Sequence, residues 1–109
     1  MLVLALLLVN GSLPMAQDDL MAAIMAYRRC GQEQLQSASA ATSDDAVAAA
    51  LSRCATQEGA MADAYRRIAS QLPPSSDGTS LESHVRQFVG KRREELRFEL
   101  TALAKSNAP

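Results

Sequence analysis

From Val47 to Leu72 the chain places Val47, Leu51, Cys54, Glu58, Met61, Tyr65, Ile68 and Leu72 at alternating steps of four and three. That spacing puts all eight positions on one stripe of an α-helix, whereas a strand would scatter them over both faces. A helix with such a stripe must lay it against other helices. Thr42 or Ser43 is suited to cap its start, and Pro73-Pro74 forbid its continuation, so the spacing predicts a helix over 43–72. Ala, Arg, Glu, Leu and Gln outnumber Val, Ile and Thr in the rest of the chain, a balance that also favours helix over strand.

Two further helices flank this seam. The first is expected over about 18–38, where Leu20, Ile24, Tyr27, Gly31 and Leu35 share a face and Asp18 and Asp19 meet the positive helix start. The stretch SASAATSDD separates it from the second helix as a turn. Beyond the SSDG linker, Thr79-Ser80-Leu81-Glu82 reads as a capping box with Thr79 as N-cap and Glu82 three residues on. It opens a third helix over about 80–105, with Leu81, Val85, Val89, Arg92, Leu96, Leu100 and Leu103 on its inner face.

The N-terminus reads differently. MLVLALLLV at Met1–Val9 is an apolar run of signal-peptide length, followed by Asn10, Gly11 and Pro14. A spanning helix needs about 20 apolar residues, so the run predicts an export signal over 1–16, cleaved after Ala16, rather than a stable membrane span. It has no basic n-region, and Pro14 stands at the position three before the cut. The mature chain, 17–109, is then one helical domain in the periplasm or outside the cell.

Export places Cys30 and Cys54 in an oxidising compartment, where two cysteines suggest one disulfide. Residue 42, midway between them, lies in the predicted turn. If helices one and two fold back antiparallel there, both cysteines stand at one height, roughly 18 Å along at 1.5 Å per residue. A redox pair in C-x-x-C spacing and a metal site with further ligands close by are not written in the sequence.

AYRR occurs twice, at Ala26–Arg29 and Ala64–Arg67. In the antiparallel hairpin residue 27 is level with about residue 57 and residue 65 with about residue 19, so the copies do not form one symmetric site. Tyr27 and Tyr65 fall on apolar faces with their hydroxyls at the rim, while Arg29 and Arg67 point to solvent. Glu58 and Arg92 interrupt the apolar stripes of helices two and three. Either both snorkel to the rim, or Glu58 pairs with Arg92 or with Arg28 and sets helix register, or the carboxylate faces a ligand.

Formal net charge is −1, without the basic excess that nucleic-acid binding needs. From Leu81 onward there are six basic and four acidic residues, against five basic and eight acidic over 17–80. KRREELR at Lys91–Arg97 is charged throughout. It is read as a solvated helix with pairs such as Glu82–Arg86, or as a docking face. Phe98 projects away from the apolar stripe, and with Arg93 and Arg97 it marks a candidate partner contact. His84 is the one histidine, and no nucleophile with a partner base, phosphate loop or ligand cluster is written here, so no catalytic, cofactor-binding or metal residue is assigned.

YRRC at Tyr27–Cys30, the Ala/Ser/Asp-rich turn and LSRC at Leu51–Cys54 resemble small exported bacterial two-cysteine helical proteins of unassigned function. The resemblance spans about 17–72 and implies two helices stapled by a disulfide, with no activity attached. In architecture alone the chain is also similar to small periplasmic acid-stress chaperones.

The fold class expected is therefore all-α, a disulfide-stapled antiparallel helical hairpin plus a third amphipathic helix. The expected role is protein–protein interaction, including self-association, or accessory structure in the cell envelope rather than catalysis. The alternative is a chaperone-like or small-ligand-binding module that uses Met21, Met25, Met61 and Phe98. Chemical reduction is expected to lower stability by about 3 kcal/mol, the chain-entropy value for a loop of this size. An unchanged melting temperature on adding reductant would remove the staple from the fold.

Overall fold

The computed structural model describes residues 12–38, 42–73 and 78–106. These residues form four helices and no strand: α1 (Ser12–Ser37), α2 (Ser43–Ser52), α3 (Ala55–Ala69) and α4 (Leu81–Ser106). The apolar run Met1–Val9 lies outside the described residues. α1 begins at Ser12, ahead of the expected Asp18, and runs through the predicted cleavage point after Ala16. Pro14 is tolerated because the N–H groups of a helix's first turn have no partner inside the helix.

Contacts along the helices give their directions. Tyr27 meets Glu58 and Cys30 meets Cys54, so α1 and the α2–α3 arm run antiparallel. Glu58 meets Arg93 and Arg66 meets Glu82, so α3 and α4 are antiparallel and α1 and α4 parallel. α1 packs on α2, α3 and α4, and α4 packs also on α2 and α3. The hairpin and its third helix are thus as the sequence predicts. So is the disulfide: Cys30 and Cys54 are bonded with their Cα atoms 6.0 Å apart, inside the range such a bond spans.

The second arm departs from expectation in being two helices. Thr42 caps α2, its Oγ1 accepting from the Asp45 N–H at 3.1 Å. At the far end the Arg53 N–H still donates four residues back to the Ala49 carbonyl at 3.2 Å. The Cys54 N–H donates three back, to Leu51 at 3.1 Å, and Cys54 leaves helical geometry with φ −104° and ψ 24°. The α-helical ladder resumes where the Glu58 N–H donates to Cys54 at 3.0 Å. A three-back bond tightens the chain into a 3₁₀-like step. The seam itself steps by three from Leu51 to Cys54, so the break leaves no mark in the periodicity.

Both ends of the α3–α4 connection also move by a residue or more. Gln71 and Leu72 N–H groups donate three back, to Ile68 at 3.0 Å and Ala69 at 3.2 Å. α3 therefore ends before Pro73, and Leu72 is exposed rather than part of the stripe. Ser80, not Thr79, caps α4: its Oγ accepts from the Ser83 N–H at 3.1 Å and its carbonyl from the His84 N–H at 3.1 Å. With the helix starting one residue later, Glu82 falls at the second helical position and cannot close a capping box. Gly78 precedes this start with φ +79°, a conformation that a side chain disfavours.

The core joins all four helices, with Tyr27, Met61, Leu96 and Leu100 almost wholly buried. α4 packs tightly against Gly31 of α1. A Cβ built there would meet Leu96 Cδ2 at 2.9 Å and Leu100 Cδ1 at 3.2 Å, and both leucines are confined by the core. Gly59, by contrast, has nothing within 4 Å of such a Cβ. Gly59→Ala is expected to raise stability by about 0.5–1 kcal/mol through helix propensity. Gly31→Ala is expected to lose that gain to overpacking of about 1–3 kcal/mol. Denaturant unfolding of the two variants side by side reads the difference, and equal stabilities would show that the α1–α4 contact yields freely.

Candidate functional site

Glu58 lies at the junction of α1, α3 and α4, with its side chain 19% exposed. One carboxylate oxygen accepts from the Tyr27 hydroxyl at 3.2 Å and from Arg93 Nε at 3.2 Å. Arg93 Nη2 donates to the other, completing a forked pair. The carboxylate on the apolar stripe is thus paired, but with Arg93 rather than Arg92 or Arg28. Arg92 instead bridges to Glu95 at 3.1 Å and holds its guanidinium carbon 5.3 Å from the Phe88 ring centre. Its Nε is buried and has no hydrogen-bond partner among the described residues. Phe88 in turn stacks on Tyr65, ring centres 4.2 Å apart and planes 11° from parallel.

Arg28 serves a second cluster, which sequence reasoning missed. Its Nε and Nη2 donate to the two Glu99 oxygens at 3.2 Å each, and Gln32 Nε2 donates to the same carboxylate at 2.8 Å. The Arg28 donors, and after them Gln32, hold the Glu99 carboxyl below the usual carboxylate range. A third cluster joins α3 to α4: Arg66 donates to Glu82 at 2.8 Å and 3.1 Å and to Asp63 at 2.7 Å. Glu82 thus meets Arg66 across the helices, and Arg86 on the same helix, to which the sequence pointed, adds its charge. The only trace of these clusters in the sequence is that Arg28, Gln32 and Glu99 flank apolar stripes; which helix lies beside each flank is not written there.

The candidate contact residues separate. Arg93 is engaged by Glu58, while its side chain stays 41% exposed. Arg97 pairs with Glu94 at 2.7 Å and remains half-exposed. Phe98 is 80% exposed, on the side of α4 away from the core. On α1, Met15, Met21 and Met25 are exposed as well. A cavity of about 620 Å³ lies between the end of α3 and the start of α4, lined by Tyr65, Leu72, Pro73, Leu81 and His84. Among the described residues, no group of three or more His, Cys, Asp or Glu side chains is placed to hold a metal ion. No helix among them is long and apolar enough to cross a membrane. The polar atoms gathered at Glu58, Glu99 and Glu82 bond to one another, an arrangement suited to fixing helix positions.

Compared with protein-family models, curated proteins and solved structures, the chain matches none.

Two outcomes test the Glu58 cluster. In a double-mutant cycle, Glu58→Ala and Arg93→Ala are expected to couple by about 1 kcal/mol, a value between exposed and buried pairs. Glu58→Ala and Arg92→Ala are expected to be additive within about 0.5 kcal/mol; the reverse pattern would return the carboxylate to Arg92. Tyr27 gives a pH signature. Burial, reinforced by the Glu58 charge and hydrogen bond, pushes its hydroxyl from 10.0 up to about 12. A phenol that is harder to ionise when folded stabilises the fold fully below pH 10.0 and loses that contribution as the pH rises through about 12. Alkaline unfolding followed by circular dichroism is expected to lose this component in Tyr27→Phe, and identical alkaline profiles would show that Tyr27 titrates freely.

Proposed function

We propose that this protein is a small helical interaction module of the cell envelope, exported through its N-terminal apolar run and docking onto a protein partner or a second copy of itself. The observation that carries the reading is Phe98: a ring 80% exposed on a helix whose inner face is already filled by Val85, Val89, Leu96 and Leu100. Its neighbour Arg97 is held by Glu94 in an exposed pair, which is worth little and yields easily to a partner. An aromatic ring beside an arginine is a common anchor in protein interfaces. Export is supported by Met1–Val9 and by the disulfide, a bond that persists in oxidising compartments.

The exposed Met21 and Met25 favour a second reading, a chaperone-like module that holds unfolded clients on a soft, adaptable surface. Native mass spectrometry of the protein taken gently from its own envelope separates the two. A companion or oligomer of fixed stoichiometry, lost in Phe98→Ala without a change in melting temperature, is the expected result. A bare monomer that suppresses aggregation of unrelated unfolded proteins, and does so less well as Met21→Ala/Met25→Ala, replaces it with the client-binding reading. A bare monomer inactive in that assay removes both.

A further inference from the structure

The break in the second arm comes without a helix-breaking residue, although beside it the Ser52 hydroxyl donates to the Ala49 carbonyl at 3.0 Å. Neither Gly nor Pro occurs from Ser43 to Gln57, and no side chain caps the start of α3 at Cys54. Ala48, Ala49, Ala50 and Leu51 before the break, and Ala55, Gln57 and Glu58 after it, favour helix. The apolar seam passes through without a change of step. What distinguishes Cys54 is that it has no exposed surface and is bonded covalently to Cys30 on α1. Its immediate neighbours Arg53 and Ala55 are exposed, so within the turn itself Cys54 is the packed side chain, with Ala50 and Leu51 buried on the α2 side.

We infer that the Cys30–Cys54 disulfide is a conformational switch: oxidised, it holds the arm as α2 and α3 with a turn at Arg53–Cys54, and reduced, it releases one continuous helix from Ser43 to Ala69. The reductant is a dithiol. Its thiolate attacks Sγ of Cys30, which keeps 9% of its surface while Cys54 keeps none. The bond to Cys54 breaks, Cys54 leaves as a thiolate, and it takes up a proton. The second thiolate of the reductant then attacks the mixed disulfide, freeing Cys30, which is protonated in turn, and closing the reductant's own disulfide. Two electrons pass to the protein and the reductant is oxidised. With the tie gone, the Ala55, Thr56 and Gln57 N–H groups can donate four residues back to the carbonyls of Leu51, Ser52 and Arg53 and extend the ladder. Straightening swings α2 relative to α3, and Val47, Ala50 and Leu51, now buried against the other helices, change their neighbours.

Backbone NMR of the full chain in oxidised form and in excess dithiothreitol tests this. Reduction is expected to leave the chain folded and to move the Cα shifts of Arg53 and Cys54 to helical values. Amide exchange at Ala55, Thr56 and Gln57 should slow by tenfold or more. Unchanged shifts in a folded reduced chain would overturn the switch, and so would global unfolding, since a switch needs two folded states. Ser52→Ala/Arg53→Ala/Thr56→Ala, kept oxidised, is the second test. Its raised helix propensity is expected to leave Cys54 non-helical, and helical shifts there would assign the break to local propensity instead of to the disulfide.

Discussion

The covalent link between Cys30 and Cys54 joins the last third of α1 to the turn between α2 and α3. Everything else in the packing is arranged around it. Cys54 is completely buried, Gly31 follows Cys30 directly, and Leu96 and Leu100 of α4 press against that glycine. The disulfide thus marks the level at which three helical layers meet. Gly31 at this level lets α4 pack closely, and large side chains such as Tyr27 and Met61 fill the core around it. A chain with 4% aromatic residues and no tryptophan has limited apolar area to bury, so restricting its unfolded state by a cross-link contributes a large share of its stability.

Position along the helices is set by charge as well as by fit. Glu58 receives donors from α1 and α4 at once, Glu99 ties α4 to α1, and Arg66 ties α3 to the start of α4. A slide of α4 by one turn would keep much of its apolar stripe in contact but would break all three clusters. Hydrophobic burial is non-directional, while a forked arginine–carboxylate pair accepts only one alignment. Exposed members of these clusters add little energy, and their contribution is to choose one register among several of similar burial.

The same division of labour bears on the surface. Arg93 ties α4 to Glu58 of α3 and Arg97 pairs with Glu94 on its own helix, although they sit four residues apart in one charged run. Among the described residues Phe98 is the most exposed large apolar side chain, and it lies on α4 whereas the exposed Met15, Met21 and Met25 lie on α1. Interaction through the ring and adaptable binding through the methionines are therefore separable by substitution.

Much of the fold is legible in the residues: three amphipathic stretches, the turn capped by Thr42, the stop before Pro73 and the pairing of two cysteines equidistant from the turn. These follow from local rules, since periodicity, capping and chain reversal involve neighbours in sequence. That Glu58 needs a partner was equally readable, because an ionised group on an apolar stripe is costly alone. Which arginine answers it was not, for Arg92 stands on the stripe and yet turns to Phe88 and Glu95, while Arg93 beside the stripe meets Glu58. The break at Cys54 was hidden for a related reason: a 3₁₀-like step of three fits a seam that already alternates three and four. The sequence by itself determined the helices, their apolar faces and the covalent tie, all matters of local chemistry and spacing. Only the tertiary structure decided the partners of Glu58, Glu99 and Arg66, the cap of α4 and the bend in the second arm, because each depends on the relative placement of helices distant in the chain.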